Sequence, residues 1–267
     1  LLKIVKIIET GMEGARMRVE TFYRELDEVL GGGLIKGSAV SIFYDTYSLG
    51  AFFGLHIFAM RIKEGDFGVI SNYNFPFGRL VRGAKFSGLD IIKEGKNGNL
   101  AVIDVFSSRY KLPSLYPFVY LLPGEIDAET LNPKIRDIYK THILSKAHGR
   151  SIIRLIYSLD GVAFFFGEQN TLKLLYADLA KISELVPNST TILLTNKDAV
   201  SNSFLARISD LSDYVIDFTT NFVENAIIEN AMLTKALTPE FAPESFDFFV
   251  RKSEEGKHHF VLKRRRK

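Results

Sequence analysis

Apolar positions along the chain alternate between short runs of branched and aromatic residues and longer stretches with helical spacing. Residues 24–30 place Leu26, Val29 and Leu30 on one or two helical turns. The turns must stop at Gly31-Gly32-Gly33, because three successive glycines cost too much backbone entropy in a helix. Gly37-Ser38 leads into a strand at 39–43. From Gly50 the apolar spacing of Ala51, Phe52, Leu55, Ile57, Phe58 and Met60 predicts a helix to Arg61. Further strands are expected at 67–71 and 100–105, with a helix over 76–87 opened by Pro76, which gives up no hydrogen bond in a first turn. The second half repeats the pattern. A helix follows Asn132-Pro133 as N-cap and first-turn proline and continues to about 147. Strands are expected at 152–157, 190–195 and 214–218, and helices at 171–185 and 202–211.

Strands alternating with helices at this spacing predict an α/β fold, a largely parallel central sheet with helices on both faces. The end differs: 246–250 and 258–262, joined by a turn at 254–256, read as an antiparallel hairpin at the sheet edge. Nothing in composition cuts the chain, so residues 1–267 are read as one domain with its core at 26–218.

Composition narrows the chemistry. Hydrophobic residues make up 46% and charged residues 24% of 267, a globular balance. There is no cysteine, which excludes a disulfide framework, a zinc ribbon and a cysteine nucleophile. The opening LLKIVKII is too short and too charged for a signal peptide, and no apolar run approaches the roughly 18 residues of a membrane span, so a cytoplasmic protein without membrane contact is expected. The net charge of +3 resides in the end of the chain: without residues 263–267 there are 29 basic against 31 acidic residues. The basic tail offers a weak route to nucleic acid, and a solvated end is the plainer reading.

In an open parallel sheet, ligands sit at the carboxyl ends of the strands. The connection from the strand at 39–43 to the helix at Gly50 is therefore the place for a phosphate-binding loop, G-x-x-x-x-G-K-[ST], whose glycines, lysine and hydroxyl cradle phosphates and Mg²⁺. Here Tyr44 stands at the first glycine position, Leu49 at the second, Gly50 at the lysine and Ala51 at the hydroxyl. Cradle, counter-charge and metal ligand are all missing from the sequence.

The frame around this loop nonetheless resembles a known family. Leu26-Asp27-Glu28-Val29-Leu30-Gly31-Gly32-Gly33-Leu34-Ile35-Lys36-Gly37-Ser38, followed by a strand, is similar to the leader of the RecA/RadA/KaiC ATPases, most of all the archaeal KaiC-like single-domain members. The resemblance implies a RecA-like P-loop NTPase fold. Family members carry acidic catalytic residues after the second core strand, where this chain has Ser71-Asn72-Tyr73-Asn74. Their Walker B strand ends in aspartate, where this chain has Tyr157, with Asp160 three residues later. Phosphoryl transfer needs positioning, a metal and charge neutralisation, and no evident supplier is present. A non-hydrolysing relative is expected, with no catalytic, metal-binding or cofactor-binding residue.

Aromatic residues occupy the vacated region: Tyr44, Tyr47, Phe52 and Phe53 at the loop, and Tyr73, Phe75 and Phe77 after the next strand. They fit a filled-in pocket, a cleft for a protein or peptide partner, or an altered nucleotide site. The partner cleft is assigned to Tyr44, Asp45, Thr46, Tyr47, Ser48, Gly50, Tyr73, Tyr157 and Asp160, with Tyr44, Tyr47 and Tyr73 expected to line one concavity. An ATPase using Lys36, Arg79 or a neighbouring subunit's arginine is the competing enzyme reading. The resemblance is also compatible with a homo-oligomer. Asp104, at a strand end, is read as the cap of a following turn, and His56 as a core or partly exposed histidine.

Overall fold

The computed structural model describes residues 18–223, 226–238, 241–252 and 258–265. The opening LLKIVKII, the turn expected at 254–256, and Arg266 and Lys267 lie outside the described residues.

The leader is a built entry to the sheet. Strand β1 (Arg18–Val19) pairs antiparallel with β2 (Leu34–Ile35) around helix α1 (Arg24–Val29), which buries Leu26. The glycines between α1 and β2 have positive φ, and a Cβ on Gly33 would meet the Val19 carbonyl oxygen at 2.4 Å, so the turn requires glycine there. Arg18 Nη1 donates to the Leu30 and Gly33 carbonyls at 2.7 and 2.8 Å, satisfying groups that the helix end leaves free.

Next come β3 (Ala39–Tyr44), α2 (Gly50–Lys63), β4 (Phe67–Asn72), α3 (Phe77–Phe86), α4 (Ile91–Lys96), β5 (Leu100–Asp104), α5 (Val105–Arg109) and β6 (Val119–Tyr120). Helix α6 (Leu131–Ile138) continues through a π-turn (Tyr139–Ile143) into α7 (Leu144–Ala147). Then follow β7 (Ile152–Tyr157), α8 (Leu159–Phe166), α9 (Glu168–Leu185), β8 (Thr190–Asn196), a 3₁₀ turn (Lys197–Ala199) and α10 (Asn202–Leu211). Strands β9 (Tyr214–Val223), β10 (Ala226–Lys235), β11 (Glu244–Lys252) and β12 (His258–Arg264) complete the order.

One ten-stranded sheet runs β12-β11-β10-β9-β3-β8-β7-β4-β5-β6. From β9 to β6 every pairing is parallel, and from β9 to β12 every pairing is antiparallel. Alternation divides β3 between two cores. Val40 and Ile42 pack with α1, α2 and α3, while Ala39 and Phe43 pack with α6, α9 and α10. The antiparallel strands fold over α2, with Phe53 meeting Phe218 and Phe248 at ring-centroid distances of 5.0 and 5.6 Å.

Three local expectations change. The strand read as ending at Phe218 runs to Val223 and pairs antiparallel with β10; polar Thr219, Thr220 and Asn221 interrupt the apolar pattern there, ahead of exposed Phe222 and Val223. The helix after 130 starts at Leu131 rather than at an Asn132 cap: Asp127 Oδ1 takes the Glu129 and Thr130 amides, and Asn132 Nδ2 donates instead to the Leu174 carbonyl. The basic end is not a free tail through its described part. Lys263 and Arg264 belong to β12, Arg264 pairs with Glu244, and Arg265 pairs with Asp247 at 2.5 Å.

Candidate functional site

The β3–α2 connection lies at the carboxyl end of β3, between β8 and β9. The start of a helix leaves amides without partners further back in the helix, in general a ready site for an anion. Glu229, from β10, fills that position. Its carboxylate accepts the Leu49 amide at 2.7 Å and the Ser48 hydroxyl, while the Gly50 amide donates to Ser48 Oγ at 2.9 Å. Burial raises the Glu229 carboxyl above the usual carboxylate range, and the hydrogen bonds from Ser48 and Leu49 oppose that rise.

The remaining loop residues are tied to the surrounding strands. Asp45 accepts the Tyr47 amide at 3.1 Å and the Thr220 amide of β9 at 2.5 Å. The Thr46 amide donates to Asp198 at 2.8 Å, and Asn196 Nδ2 lies 3.4 Å from Thr46 Oγ1. A Cβ at Gly50 would come within 2.8 Å of the Phe218 ring and of Tyr44 Cβ, so the end of β3 and the Phe218 ring close over the start of α2. Tyr44 is half-buried; burial first, then Asp160 and Tyr157, push its hydroxyl well above the usual range.

Asp160 is a clamp between strand ends. Its Oδ1 accepts the Asn196 amide at 2.9 Å, and its Oδ2 accepts from Asn74 Nδ2 at 3.3 Å. Asn74 also donates to the Ser158 hydroxyl at 2.9 Å, beside the cis Tyr157–Ser158 peptide. Tyr157 is buried against Phe75, and burial pushes its hydroxyl up to about 12. Arg79 lies over the Phe75 ring at 4.0 Å.

Of the nine residues assigned to one cleft, the structure gathers Tyr44, Asp45, Thr46, Tyr47, Ser48 and Gly50 at the β3–α2 connection, with Tyr157 and Asp160 beside them. Tyr73 is elsewhere. In β4, Gly68 and Ile70 face α2 while Phe67 and Val69 face the opposite core, and Tyr73 continues that second series. Its ring is buried with Leu131, Leu159 and Leu175, so Tyr44, Tyr47 and Tyr73 do not line one concavity. Tyr47 is the outward member: it is 68% exposed and stands edge-on to Phe222, itself 62% exposed, at 5.3 Å. Lys36 sits at the amino end of β3, a strand length of roughly 17–20 Å from the loop, and cannot neutralise a charge there within the same chain.

Sequence reasoning missed Glu229, Phe222, Asn74, Asn196 and Asp198 as parts of this region. A signal for Glu229 was present: Glu229, Ala231 and Leu233 alternate as the buried side of β10, so a strand reading of 226–235 would have turned the glutamate inward. Among the described residues, no cluster of His, Asp and Glu is arranged to hold a metal ion, and no helix is long and apolar enough to cross a membrane.

No protein-family model matches the sequence, and no curated protein matches it. Among solved structures, the chain is similar to the uncharacterized protein PH0321 from Pyrococcus horikoshii, crystallised in complex with an unknown peptide. Identity is 22% over 93% of this chain and 100% of that one, with a TM-score of 0.78. It is also similar to the KaiC-like protein PH0186 from Pyrococcus horikoshii OT3, at 19% identity over 92% of this chain and 98% of that one, with a TM-score of 0.69. At these identities the likeness establishes architecture: the chain has the α/β RecA-like fold of KaiC-like proteins.

Proposed function

We propose that this chain is a non-hydrolysing RecA-like protein that binds a protein or peptide partner at the carboxyl edge of its sheet. The observation that carries the reading is the Glu229 carboxylate at the first turn of α2, hydrogen-bonded to Ser48 and Leu49 where a phosphate group would otherwise take those donors. A fixed negative charge there repels a triphosphate, and the loop supplies no lysine to offset it. Asp45, Thr46, Ser48 and Asp160 then hold the loop's shape.

The surface available to a partner lies above this closed loop. Tyr47 and Phe222 form an exposed aromatic pair, continued across the β9–β10 pairing by exposed Ile227, the register partner of Phe222. Rigid aromatic rings with a polar hydroxyl suit peptide contact at low entropic cost. The fold neighbour crystallised with an unknown peptide gives the same reading a precedent within this architecture.

Selection of displayed peptides on the purified protein tests it. Selected peptides should lose about tenfold or more in affinity on the Tyr47→Ala, Phe222→Ala double variant, with the melting temperature little changed because both rings are exposed. Peptides that bind the double variant as tightly as the parent would place the partner surface elsewhere.

A further inference from the structure

Over the second core, helices α6 and α9 pack side by side and leave a groove of about 470 Å³, the size of a small-molecule site. Asn132 Nδ2 ties the two helices together through the Leu174 carbonyl at 2.8 Å, which fixes the walls relative to each other. Leu174, Ala177 and Ile182 supply an apolar lining. Arg136 from α6, with Lys173 and Lys181 from α9, brings three cations to it. Two carboxylates also line the groove. Asp178 is already committed to buried Arg154 at 2.5 Å, which leaves Glu129 alone against the three positive charges.

Arg136 is the informative member. Among the described residues, five arginines are buried or half-buried, and four of them have acceptors. Arg18 donates to the Leu30 and Gly33 carbonyls, Arg61 to Asp66, Arg150 to Asn99 and the Gly98 carbonyl, and Arg154 to Asp178 and Tyr139. Half-buried Arg136 has no hydrogen-bond, ion-pair or ring partner among the described residues, and neither has Lys173 or Lys181. A guanidinium drawn partly out of water, in a groove with two further cations, is unfavourable until an anion meets it. Its planar fork matches a phosphate or carboxylate. The excess is local, because residues 1–262 carry 29 basic against 31 acidic side chains. We infer that the α6–α9 groove binds a small organic anion, best matched by a doubly charged group such as a phosphate monoester on an aromatic or acyl body. Arg136, Lys173 and Lys181 meet the charge, and Leu174, Ala177 and Ile182 meet the apolar body. The inference uses none of the residues that carry the partner surface at Tyr47 and Phe222, so either can fail alone.

Phenyl phosphate tests it against phenol, which lacks the charge, and inorganic phosphate, which lacks the apolar body. Each is titrated into the full chain while the Leu174, Ala177 and Ile182 methyl resonances are followed. Phenyl phosphate should shift these signals saturably, with a Kd about tenfold or more below those of phenol and inorganic phosphate, and added salt should weaken it. Arg136→Gln should weaken phenyl phosphate about tenfold and leave phenol nearly unchanged, as loss of a charge-assisted hydrogen bond implies. Arg82→Gln, at an exposed arginine of α3 outside the groove, should change neither, which separates a site from the overall charge of the protein. Lys181→Gln, at an exposed position, should weaken phenyl phosphate several-fold, and it reads the same loss if Arg136→Gln does not fold. Absence of saturable shifts with phenyl phosphate, equally tight binding of phenol or inorganic phosphate, or an affinity that neither groove variant lowers would overturn the inference. So would a loss on Arg82→Gln as large as that on Arg136→Gln.

Discussion

Glu229 accepts the Leu49 amide at 2.7 Å, so a residue from an antiparallel strand near the end of the chain closes the first turn of the helix that follows the first parallel strand. The contact joins the two halves of the sheet at the position where this architecture would receive a phosphate. It also fixes the Ser48 hydroxyl, which turns to accept the Gly50 amide.

Removing that carboxylate should be costly. Glu229→Ala leaves the Leu49 amide and the Ser48 hydroxyl without their acceptor, and should lower stability by about 1–3 kcal/mol. Glu229→Gln keeps an acceptor oxygen and relieves the burial of a charge, so its loss should be under about 1 kcal/mol. Urea denaturation of the two variants against the parent checks the order.

Gly50 should not tolerate a methyl group. A Cβ would come within 2.8 Å of Tyr44 Cβ and of the Phe218 ring, both packed against the core, so Gly50→Ala should cost about 1–3 kcal/mol despite alanine's better helix propensity. A melting temperature equal to or above the parent's would show that the Phe218 ring and the end of β3 give way freely.

Acid should weaken the fold through His56. Burial, with Lys63 and His259 nearby, lowers this imidazole from its ordinary 6.5 to about 4, and Tyr23 Oη lies 3.0 Å from its Nδ1. Between those values the unfolded chain binds a proton that the fold does not. The contribution is therefore complete above about pH 6.5 and is lost as pH falls toward 4. The expected loss from this residue is at most about 3 kcal/mol, less for the part of the ring that solvent screens, and stability of His56→Asn should vary less with pH across that window. Identical pH profiles for parent and variant would contradict it.

The buried Arg154 should depend on its partner. Its guanidinium is 3% exposed and donates to Asp178 at 2.5 Å, to the Tyr139 hydroxyl at 3.0 Å and to Thr191 at 3.2 Å. Asp178→Ala leaves a buried cation unpaired and should cost about 3–5 kcal/mol, while the paired change Arg154→Met, Asp178→Leu should cost much less. A double-mutant cycle by chemical denaturation reads the difference.

Much of the architecture is legible because local rules agree. Branched runs such as 39–44 lie in parallel strands, Pro76 opens α3, Ser201 caps α10 through the Phe204 amide at 3.1 Å, and Gly31 to Gly33 end α1. The closing region is less legible. Beyond Phe218, β9 pairs only with β10 and faces solvent, so polar Thr219, Thr220 and Asn221 give no core signal, and the partner that delivers Glu229 goes unread. The loop residues 44–50 are found from their place between a strand and a helix. Their partners are not, because Asp198, Thr220 and Glu229 lie more than 150 residues away and only the sheet order brings them together.

The most direct test of the account is titration of Mg·ATP into the intact protein, read by calorimetry and by the amide resonances of Ser48, Leu49 and Gly50. With Glu229 already holding the Leu49 amide, millimolar Mg·ATP should give no saturable heat, no shift of these amides and no phosphate release above a blank. Saturable binding that moves the Leu49 amide, or turnover that a change at Ser48 abolishes, would contradict it.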